Sequence, residues 1–327
     1  MTKSGSQLAG VIIDYIRNHA NCSSKQIYEG IGQKWSFATV KRSILVLLSE
    51  KQIVALGKGK GTKYDISLTY ELLIPVDPGR FFEKEIDERV IKTDFNLSLI
   101  TDQLKGISLF TVREHAFLDQ LQDTFKKNTE SLTTREFKRE FERLAIDLSW
   151  KSSQIEGNTY SLLETERLLK EQETASGKTK DEATMLLNHK AALDFILENP
   201  NYIQPLSIAG IEDIHSLLIK DLNVARNIRK RRVGITGTNY RPLENEFQIR
   251  ESLQSMVALI NQRNDIFEKA LLVLALISYI QPFEDGNKRT ARIISNAILM
   301  HFHYCPLSFR TVDPIDFKKA MLIFYEQ

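Results

Sequence analysis

A chain of 327 residues with 42% apolar and 26% charged residues has the composition of a globular protein with room for two or three domains. No apolar stretch approaches the roughly 20 residues that cross a bilayer, and the N-terminus lacks the apolar core of a secretion signal. We therefore expect a cytoplasmic protein without a membrane partner. Two distant cysteines and six scattered histidines argue against disulfide and zinc sites.

The net charge of +2 is unevenly distributed. Residues 1–70 contain ten Lys/Arg and four Asp/Glu, a net +6, which leaves 2 − 6 = −4 on the remainder. A basic segment of this kind favours contact with a polyanion.

Residues 1–75 are predicted to form three helices and a hairpin. Apolar residues recur at helical spacing from Leu8 to Ile16, and Ser24 and Ser36 suit helix starts. In IVALGKGKGTKYDI, residues 53–66, apolar residues stand on either side of a Gly/Lys-rich tip, as in two strands and a turn. The order is similar to that of winged helix-turn-helix domains, which implies DNA binding by a third helix and a wing. The candidate DNA-binding residues are Lys41, Arg42, Lys58, Lys60 and Lys63. The alternative is a protein-docking module whose lysines are merely solvated.

Residues 76–105 are predicted to be a connecting region, because they contain Pro78 and mixed charge without a clear period. From residue 106 to 327 the pattern is almost wholly helical. A capping box of Thr133 and Glu136 starts a helix that Gly157 ends, and further helices are predicted at 181–198, 207–220, 247–262, 266–280 and 287–303. The exception is 231–243, which we interpret as a small hairpin.

The stretch YIQPFEDGNKRTAR, residues 279–292, carries the chemistry. Gly286 and Asn287 suit a tight turn, and the amides after them open a helix whose N-terminus attracts anions. Lys288, Arg289 and Arg292 add cations for a polyphosphate, and Asp285 is a candidate ligand for Mg²⁺. Taken alone, the stretch is also compatible with an ordinary loop before a basic helix.

As an ordered string, this stretch closely resembles the signature of Fic domain proteins: His-Pro-Phe, any residue, Asp or Glu, Gly-Asn, Gly or Lys, Arg, two residues, Arg. The matching positions are Pro282, Phe283, Asp285, Gly286, Asn287, Lys288, Arg289 and Arg292. The resemblance implies a mainly α fold over residues 106–327 with a small β-hairpin flap. It also implies ATP and Mg²⁺ as ligands, and AMP transfer to a hydroxyl side chain of a target protein.

The resemblance also suggests roles for individual residues. Asp285 would hold the metal, and Gly286 and Asn287 would line the phosphate pocket. Arg289 would bind phosphate, and Arg292 would hold the γ-phosphate.

A second stretch, Ser152 to Gly157, resembles the inhibitory motif of the same family: Ser or Thr, three residues, Glu, then Gly or Asn. The implied arrangement places it at the end of the helix around 134–157. There Glu156 would pair with Arg292 and block the γ-phosphate. The local alternative is a helix C-terminus stopped by Gly157.

Gln281 stands where the family has the histidine that takes the proton of the target hydroxyl. An amide cannot take up a proton near neutral pH, so AMP transfer should be severely weakened. Two hypotheses follow. The first is a weak or altered AMP-transferase, or an enzyme of the reverse hydrolysis, that Glu156 autoinhibits. The second is a catalytically silent, nucleotide-sensing transcriptional regulator that binds DNA through residues 1–70. The oligomeric state, including a homodimer, stays open.

Overall fold

The computed structural model of the chain describes the backbone of residues 3–327, and the side chains of these residues except 3–6, 60 and 71. The chain divides into two compact units. The N-terminal unit runs up to Pro75 and includes Gly106–Phe117, and the C-terminal unit comprises Val76–Lys105 and Leu118–Gln327.

The N-terminal unit has the predicted order of three helices followed by a two-stranded antiparallel sheet. Ser23 and Ser36 cap the second and third helices with their hydroxyl oxygens. The strands pair from Ile53 opposite Ile66 to Leu56 opposite Lys63. The elements are α1 (Lys3–Asn18), α2 (Ser24–Gly30), α3 (Phe37–Ser49), β1 (Ile53–Leu56), β2 (Lys63–Ile66) and α4 (Leu68–Leu73).

The rest of the chain is helical, and the mainly α fold class is confirmed. The five helices predicted between residues 181 and 303 differ from the observed ones by at most two residues at either end. In chain order the helices are α5 (Pro78–Phe81), α6 (Val112–Glu130), α7 (Thr134–Ile155), α8 (Leu162–Glu171), α9 (Lys180–Glu198), α10 (Ile208–Leu218), α11 (Glu246–Gln262), α12 (Ile266–Ile280), α13 (Asn287–His301) and α14 (Pro314–Glu326).

Helices α12 and α13 form the centre of the C-terminal unit. Apolar residues such as Leu276, Ile277 and Ile294 are fully buried there. Full burial of one such side chain contributes roughly 1.5–3 kcal/mol, so this helix pair anchors the turn that joins it. Within residues 3–327, none of the helices is both long and apolar enough to span a membrane.

Two features differ from the prediction. Residues 76–105 pack in the C-terminal unit, where the amide of Lys92 donates to the carbonyl of Glu326 (2.8 Å). Residues 231–243, expected as a hairpin, contain no strand in the described structure. Their one ladder contact is an isolated parallel bridge between Arg241 and Asp94, beside which the amide of Arg241 donates to the carbonyl of Thr93 (2.7 Å).

Candidate functional site

The turn between α12 and α13 depends on two residues in the left-handed region. Gln281 ends α12 with φ 51° and ψ 59°, and Gly286 precedes α13 with φ 82°. A Cβ at Gly286 would lie 3.2 Å from Ile219 and 3.3 Å from His215, so space and backbone angle both favour glycine.

The side chain of Asn287 holds the turn together. Its Nδ2 donates to the carbonyl of Phe283 (2.8 Å) and to Oε1 of Gln281 (3.0 Å), and its Oδ1 accepts from the amide of Phe283 (2.8 Å). The hydrogen-bonding groups of the Asn287 side chain are therefore engaged within the turn.

The turn rests on the ring of His215. This ring stacks on Phe283 at 3.6 Å with planes 3° apart, and its Nε2 lies 2.9 Å from the carbonyl of Asp285. Burial lowers the pKa of His215 to about 4, although the contact with the carbonyl of Asp285 opposes the shift. A neutral imidazole therefore supports the turn from below.

Two arginines follow the turn inside the protein. Arg289 is 2% exposed and its Nη2 donates to Oδ2 of Asp285 (3.0 Å). Arg292 is fully buried: its Nε donates to Oγ of Ser152 (2.9 Å), and its Nη2 donates to the Ser152 carbonyl (2.9 Å). The Nη1 of each arginine is buried without a hydrogen-bond partner among the described residues.

Glu156 caps the C-terminus of α7 and faces these cations. Its Oε1 accepts from Nη2 of Arg292 (2.8 Å), and its Oε2 lies 3.7 Å from Nζ of Lys288. Burial alone would raise the pKa of Glu156, but the charges of Arg292, Lys288 and Arg289 outweigh it and hold the pKa below its ordinary value. The carboxylate is thus ionised at neutral pH.

Gly157, with φ 97°, turns the chain away directly after this carboxylate. The left-handed angle favours glycine, as the inhibitory pattern in the sequence implies.

A cavity of about 400 Å³ lies over the turn. Its walls are the turn with the start of α13, the segment 233–236, and one face of α14. The lining residues are Ile155, Glu156, Gly157, Val233, Gly234, Ile235, Thr236, Gln281, Glu284, Asp285, Gly286, Asn287, Lys288, Arg289, Phe317, Lys318, Met321, Leu322 and Tyr325.

The sequence did not predict that one face of α14 forms a wall of the cavity. Phe317, Met321, Leu322 and Tyr325 recur at the spacing of an amphipathic helix, which usually indicates contact with a core. No polar pattern distinguished this face from an ordinary buried one.

The side chain of Gln281 is committed to the turn. Its Nε2 donates to the carbonyl of Ser278 (2.6 Å), its Oε1 accepts from Asn287, and the residue is 7% exposed. The amide thus stabilises the turn between α12 and α13.

Most of the predicted site residues meet at this cavity, but two lie behind its wall. Ser152 and Arg292 are fully buried and reach the cavity through Glu156. The predicted site residues that lie in the cavity wall are Glu156, Gly157, Gln281, Asp285, Gly286, Asn287, Lys288 and Arg289.

The predicted DNA-binding residues all belong to the N-terminal unit. Lys41 and Arg42 are exposed on α3, and Lys58 is exposed between the strands. Lys63 is half-buried and donates to Oε1 of Gln26 (3.2 Å). The side chain of Lys60 lies outside the described residues.

Asp285 fits the role of a magnesium ligand. Its side chain is 65% exposed, and one of its oxygens accepts from the amide of Gly286 (2.6 Å). Among the described residues, no group of three or more His, Cys, Asp or Glu could hold a metal by itself. Mg²⁺ in phosphate sites commonly has one or two carboxylate ligands, with phosphate and water supplying the rest.

The loop that follows Glu156 is braced by Glu182. Its Oε1 accepts from the amide (2.8 Å) and hydroxyl (2.6 Å) of Thr159, and its Oε2 accepts from the amide and hydroxyl of Thr179 (both 2.9 Å). These hydrogen bonds, led by that of the Thr159 hydroxyl, lower the pKa of Glu182 to about 2.

The fold and the site together define a helical domain with a cation-bearing turn in the wall of a cavity. Residues 205–299 match the family model of the Fic/DOC family. The turn lies within this match, so the similarity to the Fic/DOC family covers the candidate site.

The relatives carry the corresponding names. The chain is 27% identical over 194 residues to protein adenylyltransferase fic-1 of Caenorhabditis elegans, covering 57% of this chain and 37% of that one. It is 27% identical over 198 residues to protein adenylyltransferase Fic of Aedes aegypti, covering 58% and 38%. The chain thus spans less than half the length of these curated relatives.

Solved structures share the fold. A Fic domain containing signaling protein from Bacteroides thetaiotaomicron superposes with a TM-score of 0.53 at 22% identity, covering 63% of this chain and 79% of that one. Residues 134–508 of Fic-1 from C. elegans superpose with a TM-score of 0.52 at 22% identity, covering 64% and 65%.

We expect Glu182→Gln to lower the free energy of unfolding at pH 7, because it replaces the carboxylate that accepts the hydrogen bonds of Thr159 and Thr179. The expected decrease is on the order of 1 kcal/mol, since solvent screening reduces the effect of the full pKa shift. The lowered pKa means that this stabilisation is present above about pH 4.5 and is lost as pH falls toward about 2. Urea unfolding across this range measures it. Glu171→Gln, which removes a surface contact with Arg167, is the control; equal curves for both variants would contradict the prediction.

Proposed function

We propose that the cavity binds ATP with Mg²⁺ and that Glu156 restrains this site. The observation that carries the proposal is the pair of buried arginines, Arg289 and Arg292, each with one Nη1 atom lacking a partner among the described residues. A buried donor without a partner costs roughly 1–3 kcal/mol, and phosphate oxygens beside a helix N-terminus would relieve that cost.

The cavity offers complementary surfaces to the two ends of a nucleotide. Phe317, Met321 and Tyr325 form an apolar wall suited to a base, and Lys288 and Arg289 line the cationic side. Asp285 would hold Mg²⁺, which neutralises phosphate charge when bound.

Glu156 restrains the site because it already engages the cations. Its carboxylate contacts Arg292 and lies close to Lys288, so a terminal phosphate has to compete with a fixed anion for the same donors. Removal of this carboxylate should therefore tighten nucleotide binding.

AMP transfer at this site should be weak. In that reaction the oxygen of a target hydroxyl attacks the α-phosphorus, the bond to the β-phosphate breaks, pyrophosphate leaves, and the hydroxyl proton requires an acceptor. Gln281 cannot accept it, and its amide is held by Ser278 and Asn287. General-base catalysis typically contributes about 10² to 10⁴-fold.

For ATP with Mg²⁺, we expect binding to the protein and a Kd at least about tenfold lower in Glu156→Gly, because Arg292 loses its competing anion. Isothermal titration calorimetry measures both. Glu173→Gly, which removes an exposed glutamate paired with Arg167, is the matched control and should leave the Kd unchanged. Absence of binding in the protein and in Glu156→Gly would refute the proposed function.

In the Glu156→Gly background, Gln281→His should raise ATP-dependent AMP transfer by about 10² to 10⁴-fold, because it restores a proton acceptor. Pyrophosphate release and the mass of modified protein report the reaction. Gln172→His, at the exposed end of α8, is the control. If the double variant binds ATP but transfers no AMP, the missing proton acceptor is not what limits the reaction.

A second candidate function concerns the N-terminal unit, which we propose binds duplex DNA. The supporting observation is the division of α3 into two faces: Val40, Ile44 and Leu47 are buried in the core of this unit, and Lys41 and Arg42 are exposed. An exposed basic face on a third helix suits a DNA groove.

Replacing both Lys41 and Arg42 by Gln should raise the apparent Kd for mixed-sequence duplex DNA at least tenfold and reduce the salt slope by about 2. Fluorescence anisotropy at several salt concentrations measures both quantities. The pair Lys25→Gln and Lys51→Gln removes the same charge from exposed positions outside α3. An equal loss in this control pair would mean that the charge alone, rather than the α3 face, determines binding.

A further inference from the structure

A segment outside the region matched by the family model runs beside one wall of the cavity. We name residues 86–96 the strap and residues 233–241 the flap. Residues 233–236 of the flap line the cavity, and residues 237–241 carry its contacts with the strap.

The flap is ordered by the strap along most of its second half. Nη2 of Arg89 donates to the carbonyl of Gly237 (3.0 Å), and Nδ2 of Asn239 donates to Oδ1 of Asp87 (2.9 Å). The amide of Arg241 donates to the carbonyl of Thr93 (2.7 Å). The flap forms no strand of its own in the described structure. These contacts therefore order its backbone in place of the hydrogen bonds between the strands of a hairpin.

The strap is in turn fixed to the end of α14. Nη1 of Arg89 donates to Oε2 of Glu326 (3.0 Å), and the two side chains are 4% and 0% exposed. The guanidinium also lies 5.3 Å from the ring centre of Phe82. One arginine therefore joins the flap to α14, which forms another wall of the cavity.

The ion pair between Arg89 and Glu326 is not explained by its contribution to the free energy of unfolding alone. Buried pairs often contribute no more than apolar residues of similar volume, and here Nε of Arg89 and Oε1 of Glu326 have no partner among the described residues. An apolar pair could fill the same space. It could not donate a hydrogen bond to the carbonyl of Gly237.

We propose that Arg89 is a positioning residue, and that the strap sets the position of the flap and hence the shape of the cavity wall at 233–236. A Cβ at Gly237 would lie 3.2 Å from Leu322 of α14, so the flap has little room to shift toward that helix. The proposal holds whatever ligand the cavity takes.

Hydrogen exchange of the unliganded full chain, followed by mass spectrometry over residues 237–243, tests this. The variants are Arg89→Met, Arg89→Met with Glu326→Leu, and Arg167→Met as a surface arginine control. We expect exchange at Tyr240 and Arg241 to accelerate at least about tenfold in both strap variants and to stay unchanged in the control. The double variant should melt near the temperature of the unaltered protein, because it replaces the ion pair by an apolar one.

Exchange at the unaltered rate in a folded Arg89→Met protein would overturn the proposal. So would restoration of the unaltered rate in the double variant, since the arginine would then act only by filling space. If Arg89→Met does not fold, the double variant decides by itself. Because no nucleotide is present, failure of ATP binding leaves this test intact.

Discussion

The site depends on compensation of the buried charge of the Arg292 guanidinium. Burial of a charge costs several kcal/mol unless hydrogen bonds and an opposite charge compensate it. Here Ser152 and Glu156, from the end of α7, supply that compensation. The same contact fixes α7 against α13 and places a carboxylate at the edge of the cavity. The proposed restraint of the phosphate site therefore uses the same contact that compensates the buried charge.

The geometry of the turn follows from a second constraint, which is the close approach of the turn to α10. Gly286 has no room for a side chain above Ile219 and His215, and Phe283 is held flat against the imidazole. Asn287 then satisfies the backbone groups of Phe283 that the turn leaves without partners. Sterics and hydrogen bonding thus select one loop conformation, which orients the first turn of α13 toward the cavity.

Gln281 contributes to this turn through both its backbone and its side chain. Its backbone takes the left-handed angles that end α12, and its amide completes the hydrogen bonds of Asn287 and Ser278. A loop of this kind can bind an anion without taking up a proton. In the proposed function, nucleotide binding and AMP transfer therefore depend on different properties of this position, and only AMP transfer requires a titratable side chain.

The sequence by itself determined the helices, the turn and the identity of its charged residues, because periodicity, capping and turn chemistry act over a few residues. Thr133 with Glu136 marked a helix start in this way. Only the tertiary structure decided the α14 wall, the inward direction of the Asn287 side chain, and the strap that replaces the expected hairpin. Arg89 and Gly237 are 148 residues apart in sequence, and no local pattern specifies such a contact. Packing chose these partners because each buried polar group must find a donor or acceptor wherever the fold brings one close.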